Sequence, residues 1–135
     1  MRYLLIAATA AAGLASGSVY AFDTDKIILC ATTEVQDCLA TQGCEQVQPE
    51  DVSVPTFMRL NLKKNRIEVG DQSADIERIE EVENRLIMQG AEDGSENRPD
   101  GVGWTLSVSK DTGRFVATLA TEQAGLVLFG ACTEI

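Results

Sequence analysis

The chain has 135 residues, with 11 Lys and Arg against 21 Asp and Glu, a formal charge of −10, four Cys and no His. That length suits one domain rather than two. Without His the commonest general base and metal ligand are missing, and with them Ser/His and Cys/His nucleophile chemistry and most zinc sites; the acidic excess argues equally against a phosphate-backbone binder, so nucleic acid is not an expected partner.

The N-terminus reads as an export signal. Arg2 supplies the positive charge, Tyr3 to Ala15 form an apolar run rich in Leu and Ala, and Val19 and Ala21 provide a small-residue cleavage site. The run of about 13 residues is short of the roughly 20 that cross a bilayer, so no membrane span is expected in the mature form. Cleavage after Ala21 removes 21 of the 135 residues and leaves 114, Phe22 to Ile135, as a single β domain. It takes away one basic residue and no acid, moving the charge from −10 to −11. The remaining aromatics, Phe22, Phe57, Trp104, Phe115 and Phe129, are too few for a sugar platform or a base-stacking surface.

All four Cys survive cleavage, and an even count in an exported domain implies two disulfides. The spacings contain no Cys-x-x-Cys pair, so a metal site is not expected. Three pairings are open. The favoured one joins Cys38 to Cys44 across a tight turn and Cys30 to Cys132, tying the first strand to the last. The compartment implied is the periplasm or the exterior.

After Phe22 to Lys26 the pattern is that of strands. Ile27 to Leu29 open an apolar run that extends to Val35; an irregular region with Pro49 and Pro55 covers Leu39 to Thr56. Met58, Leu60 and Leu62 alternate with polar residues, Lys64-Asn65 turns the chain, Ile67 and Val69 form a short strand, and Gly70 to Ser73 reads as a polar connection. Ile76 to Gly90 fits a helix face or a hairpin. The hairpin is preferred, with Glu83-Asn84-Arg85 at its turn. Trp104, Leu106 and Val108 alternate, Asp111-Thr112-Gly113 marks a turn, Phe115, Ala117 and Leu119 alternate in their turn, and Leu126 to Phe129 form an apolar last strand. The expectation is an all-β fold: a small, disulfide-tied antiparallel meander barrel or sandwich of about eight strands, with the first beside the last.

Leu86-Ile87-Met88-Gln89-Gly90-Ala91, Gly103-Trp104-Thr105-Leu106, Asp111-Thr112-Gly113 and the terminal Phe129-Gly130-Ala131-Cys132 resemble a group of small exported proteobacterial proteins of unknown function. The likeness lies in strand spacing and the final Cys, across most of the mature chain, and it carries no activity. A weaker similarity is to the small disulfide-tied barrels that inhibit lysozyme in the bacterial periplasm. Their Ser-Gly-x-x-Tyr loop has no counterpart here. That similarity implies a partner or inhibitor of a basic cell-envelope enzyme.

Two sets of residues are candidates for binding. Trp104, Phe115, Met58 and Met88 would line the interior if the barrel were hollow, and would take a small apolar ligand. The polar loop Glu92 to Gly101 presents Asp93, Asn97 and Asp100 to a protein partner. Asp93, Ser95 and Asn97 have alternating oxygen ligands, but Arg98 and Trp104 stand where a calcium loop needs Gly and Glu. Glu77, Glu80, Glu81 and Glu83 read as a solvated acidic segment paired with Arg78 and Arg85. Lys63, Lys64 and Arg66 read as a charged hairpin tip. No catalytic residue, metal or cofactor is expected, and the function read from the sequence is non-enzymatic binding.

Overall fold

The structure is a computed structural model, and it describes residues 22–94, 96 and 100–135. The expected signal segment lies outside them. Among the described residues ten antiparallel strands form one curled, half-barrel sheet. They are β1 (Ile28–Leu39), β2 (Gly43–Val47), β3 (Phe57–Asn61), β4 (Arg66–Val69), β5 (Gln72–Asp75), β6 (Arg78–Val82), β7 (Arg85–Glu92), β8 (Val102–Ser109), β9 (Arg114–Ala120) and β10 (Ala124–Glu134). The order across the sheet is β5-β4-β3-β1-β10-β9-β8-β7-β6, with β2 paired to β1 beside that path.

The first strand lies against the last, as the sequence implies, and both disulfides are those favoured, Cys30–Cys132 and Cys38–Cys44. Each joins residues directly opposed in register. Ile135 N–H donates to Ile27 O and Ala40 N–H to Gln123 O. By the antiparallel alternation, both bridges then fall at non-hydrogen-bonded pairs, where facing side chains stand closest.

The strand count corrects the sequence reading. The irregular region Leu39 to Thr56 contains β2, which folds back on β1 through the Cys38–Cys44 hairpin, and a 3-10 turn over Pro49–Val52. Gly70 to Ser73 is only partly a connection. Gly70 and Asp71 make a two-residue turn, and Gln72 already pairs with Val69. Both strands escape notice because they carry almost no apolar alternation: β2 is Gly-Cys-Glu-Gln-Val and β5 is Gln-Ser-Ala-Asp. Over Ile76 to Gly90 the hairpin holds and the helix does not. Val82 faces Arg85 across Glu83-Asn84, with Glu83 at φ 54.

Side chains on the concave face align in rows. One runs Val47, Val35, Leu128, Ala117, Leu106, Met88 and Ile79 through successive strand pairings; a parallel one runs Leu126, Leu119, Trp104 and Gly90. The buried core takes Val35, Leu128, Ala117, Leu106 and Met88 from the first row together with Ile28, Val54, Met58, Leu60, Ile67, Ile76, Leu86, Val108, Phe115 and the Cys30–Cys132 bridge, and Phe22, Val47, Ile79, Trp104, Leu119 and Leu126 pack against it half-buried. Two glycines make room for aromatic rings. A Cβ at Gly90 would fall on the Trp104 ring and the Asp75 carbonyl, and one at Gly130 on the Phe115 ring and the Ala31 carbonyl. Each glycine directly opposes its aromatic residue on the neighbouring strand, which lets the ring lie flat over the sheet.

Two features position the loop between β2 and β3. β1 carries a register shift between Thr32 and Glu34. Beside it, the Thr32 hydroxyl donates to Pro55 O (2.9 Å) and its N–H to Thr56 O (2.8 Å), which pins Val54 and Pro55 over one end of the half-barrel.

Candidate functional site

Three places bear on function: the interior, the acidic loop after β7, and a groove that the sequence did not disclose. In the interior, Met88 is wholly buried, Phe115 is 2 % exposed and Met58 5 %; all three belong to the packed core, and Trp104 packs against it from the half-buried row at its margin. An apolar ligand would have to displace these side chains. The structure therefore brings together the four residues named from the sequence as one packed cluster.

In the loop, Asp93 and Asp100 are exposed and outside any strand. Asn97, with Ser95, Arg98 and Pro99, lies outside the described residues. Among the described residues no group of three or more Cys, Asp or Glu is placed to hold a metal ion.

The acidic residues of β6 spread over the hairpin rather than converge. Arg78 pairs with Glu80 on its own strand, and Lys110 reaches Glu81. Arg85, in contrast, donates to Ser107, through Nε to Oγ (2.8 Å) and Nη2 to the carbonyl (3.1 Å). Lys63 meets Asp25 at 3.6 Å and Arg66 meets Asp75 at 3.3 Å, so the basic tip between β3 and β4 is engaged in exposed ion pairs worth well under about 1 kcal/mol each.

The groove holds about 440 Å³ and is lined by Ser53, Val54, Pro55, Val69, Gln72, Ser73, Ala74 and Glu92. Its floor is apolar, from Val54, Pro55, Val69 and Ala74. The sheet topology makes it: β5 and β6, the two ends of the strand path, are consecutive in the chain, joined by Ile76 and Glu77. Ile76 N–H donates to Asn65 O on the β4 side, and Glu77 N–H to Gln89 O on β7. At that link the two edges meet, and from it β5 diverges from the end of β7.

None of the described lining residues is basic. Glu92 is the one carboxylate among them, and further carboxylates stand near the lining residues in sequence, with Glu50 and Asp51 before Ser53, Asp71 before Gln72, and Asp93 after Glu92. Glu50 is held charged: its own backbone N–H and the Thr56 hydroxyl, 2.9 Å away, lower its pKa below the usual carboxylate value. A sequence pattern could hardly have disclosed this site, since it is defined by where pairing stops. Its one local sign is the polar character of Gln72 to Asp75.

A second acidic feature lies on the β1–β2 hairpin, where Asp37 stands directly opposite Glu45. Like charges so placed disfavour the pairing they sit on. The Cys38–Cys44 bridge one position along holds the hairpin against that repulsion.

Set against known proteins, the chain matches no family model, no curated protein and no solved structure.

Proposed function

We propose that the mature chain is an exported, non-enzymatic binding module, acting in the periplasm or outside the cell, whose partner is a cationic protein. The observation that carries this reading is the groove between β5 and the end of β7, whose floor is apolar and whose one charged residue among the described lining is the carboxylate Glu92. The filled interior favours a protein partner over a small apolar ligand, because Met58, Met88 and Phe115 already occupy the space such a ligand would need. The charge of the mature form, −11 after loss of Arg2, would steer association and make it salt-dependent. The similarity to lysozyme-inhibiting barrels points the same way, to a basic envelope enzyme such as lysozyme.

The test is association of the mature, unreduced protein with lysozyme as a cationic probe, followed by calorimetry at about 50 mM and about 300 mM salt. Binding weakened tenfold or more at the higher salt is the expected result. No association at the lower salt overturns the proposal. Replacing Asp93, Asn97 and Asp100 together with Ala then reports whether the loop shares the contact: a further loss places the loop in it, and unchanged affinity leaves the groove alone.

A further inference from the structure

Alternation along the strands decides which side chains meet in the groove. Ile67 is buried and opposes Ala74, and Val69 opposes Gln72, so Ala74 and Gln72 turn to the concave face. Leu86 and Met88 are buried, and Glu92 follows Met88 along β7 with the same parity, so its side chain turns to that face as well. β5 lies against β7 only at its own end, where Asp75 O sits close over Gly90 and Glu77 N–H donates to Gln89 O. Toward Gln72 the two strands part, and Val54 and Pro55, held by the two Thr32 hydrogen bonds, complete the floor. The result is a slot with four apolar residues, Val54, Pro55, Val69 and Ala74, and one carboxylate, Glu92, which is exposed.

We infer that this slot takes a single Lys side chain of the cationic partner, with the aliphatic stem on Val54, Pro55, Val69 and Ala74 and the ammonium at Glu92, a reading that rests on the proposed partner and names the group by which it is held. Charge complementarity and amphipathy select that group together. Long basic side chains bury their methylenes along apolar surface while the charged head stays in water, and at the exposed Glu92 the head remains wet. An apolar side chain would cover the same floor and leave the carboxylate without a counter-charge; an acidic one would be repelled. A short cation would meet Glu92 and leave the floor in water. Lys is favoured over Arg because its compact charge is answered by one carboxylate, whereas a guanidinium holds five donors in a plane and the described lining has no second charged group to meet them.

The experiment uses the mature, unreduced protein labelled with nitrogen-15 and with carbon-13 at its methyl groups, and three capped amino acids: acetyl-lysine methylamide, its norleucine counterpart, which keeps the stem and loses the charge, and its diaminopropionic acid counterpart, which keeps the charge and loses most of the stem. The Lys compound should shift the methyls of Val54, Val69 and Ala74 and the amide of Glu92, and change the fluorescence of Trp104, whose ring lies over Gly90 two positions before Glu92. The other two should bind at least tenfold more weakly. Glu92→Gln should lower affinity for the Lys compound about tenfold. Glu83→Gln removes the same charge at the turn on the opposite end of β7 and should leave that affinity unchanged. Absent shifts, shifts centred elsewhere, equal binding by either counterpart, or equal losses from the two Glu variants overturn the Lys slot. If lysozyme binds and Glu92→Gln weakens it no more than Glu83→Gln does, the slot falls and the cationic-partner reading stands; if neither lysozyme nor the Lys compound binds, both fall.

Discussion

The two sides of the sheet, divided at the β1–β10 pairing, solve the same problem differently. On one side β7, β8 and β9 are eight, eight and seven residues long and pair in unbroken register, so their inward residues meet in complete rows and the interior fills. On the other, β3, β4 and β5 have five, four and four residues, interrupted by a 3-10 turn over Leu62–Lys64. Those strands are too short to carry the rows around, and the shortfall is the groove. Long register builds the core; short register leaves a groove.

The largest effects should come from the bridge that spans both sides. Replacing Cys30 and Cys132 together with Ser should cost about 4.7 kcal/mol in denaturant unfolding, against about 2.4 kcal/mol for Cys38 and Cys44, because the loops they close differ so much in length. Equal losses would show that the long bridge acts on something other than loop closure. Next, Phe115→Ala on the filled side should cost about 3–5 kcal/mol, whereas Val69→Ala at the half-buried groove should cost less than about 1 kcal/mol. A smaller pair tests the close approach of aromatic and backbone. Gly90→Ala should lose about 1–3 kcal/mol and shift the fluorescence of Trp104, the only Trp; Gly103→Ala, whose Cβ would meet open space, should change stability by less than about 0.5 kcal/mol.

The smallest effect is electrostatic. Glu134 accepts from Asp23 N–H and pairs with Lys26 at 3.2 Å, which lowers its pKa from 4.5 in the folded state. A depressed carboxylate contributes stability above the unfolded value, and that contribution disappears as pH falls through the folded one. Glu134→Gln should therefore lower the thermal midpoint at about pH 6 and converge with the parent as the pH falls below 4.5.

Alternation made half of this architecture legible. Trp104, Leu106 and Val108, and Phe115, Ala117 and Leu119, sit where a period of two places them, and the even Cys count with the turn between Cys38 and Cys44 gave the correct pairing among three. β2 and β5 did not show, because a strand at an exposed hairpin or an edge needs no apolar face, and its only signature is backbone pairing. The packing of Met58, Met88 and Phe115 was likewise hidden: the same inward positions line a hollow barrel or fill a half-barrel, and only the curl of the sheet decides between them. The groove residues Ser53 to Pro55 and Gln72 to Ala74 are remote in sequence and meet through topology alone.

The strand order also reverses the usual roles of chain centre and chain ends. β1 and β10, the first and last strands, form the middle of the sheet, and the edges come from residues near position 75. Removing β10 would therefore take away the central beam rather than a border. A chain made from its N-terminus cannot assemble that beam until β10, with Cys132 in it, has been added. Formation of β10 thus becomes the event that permits the fold to close.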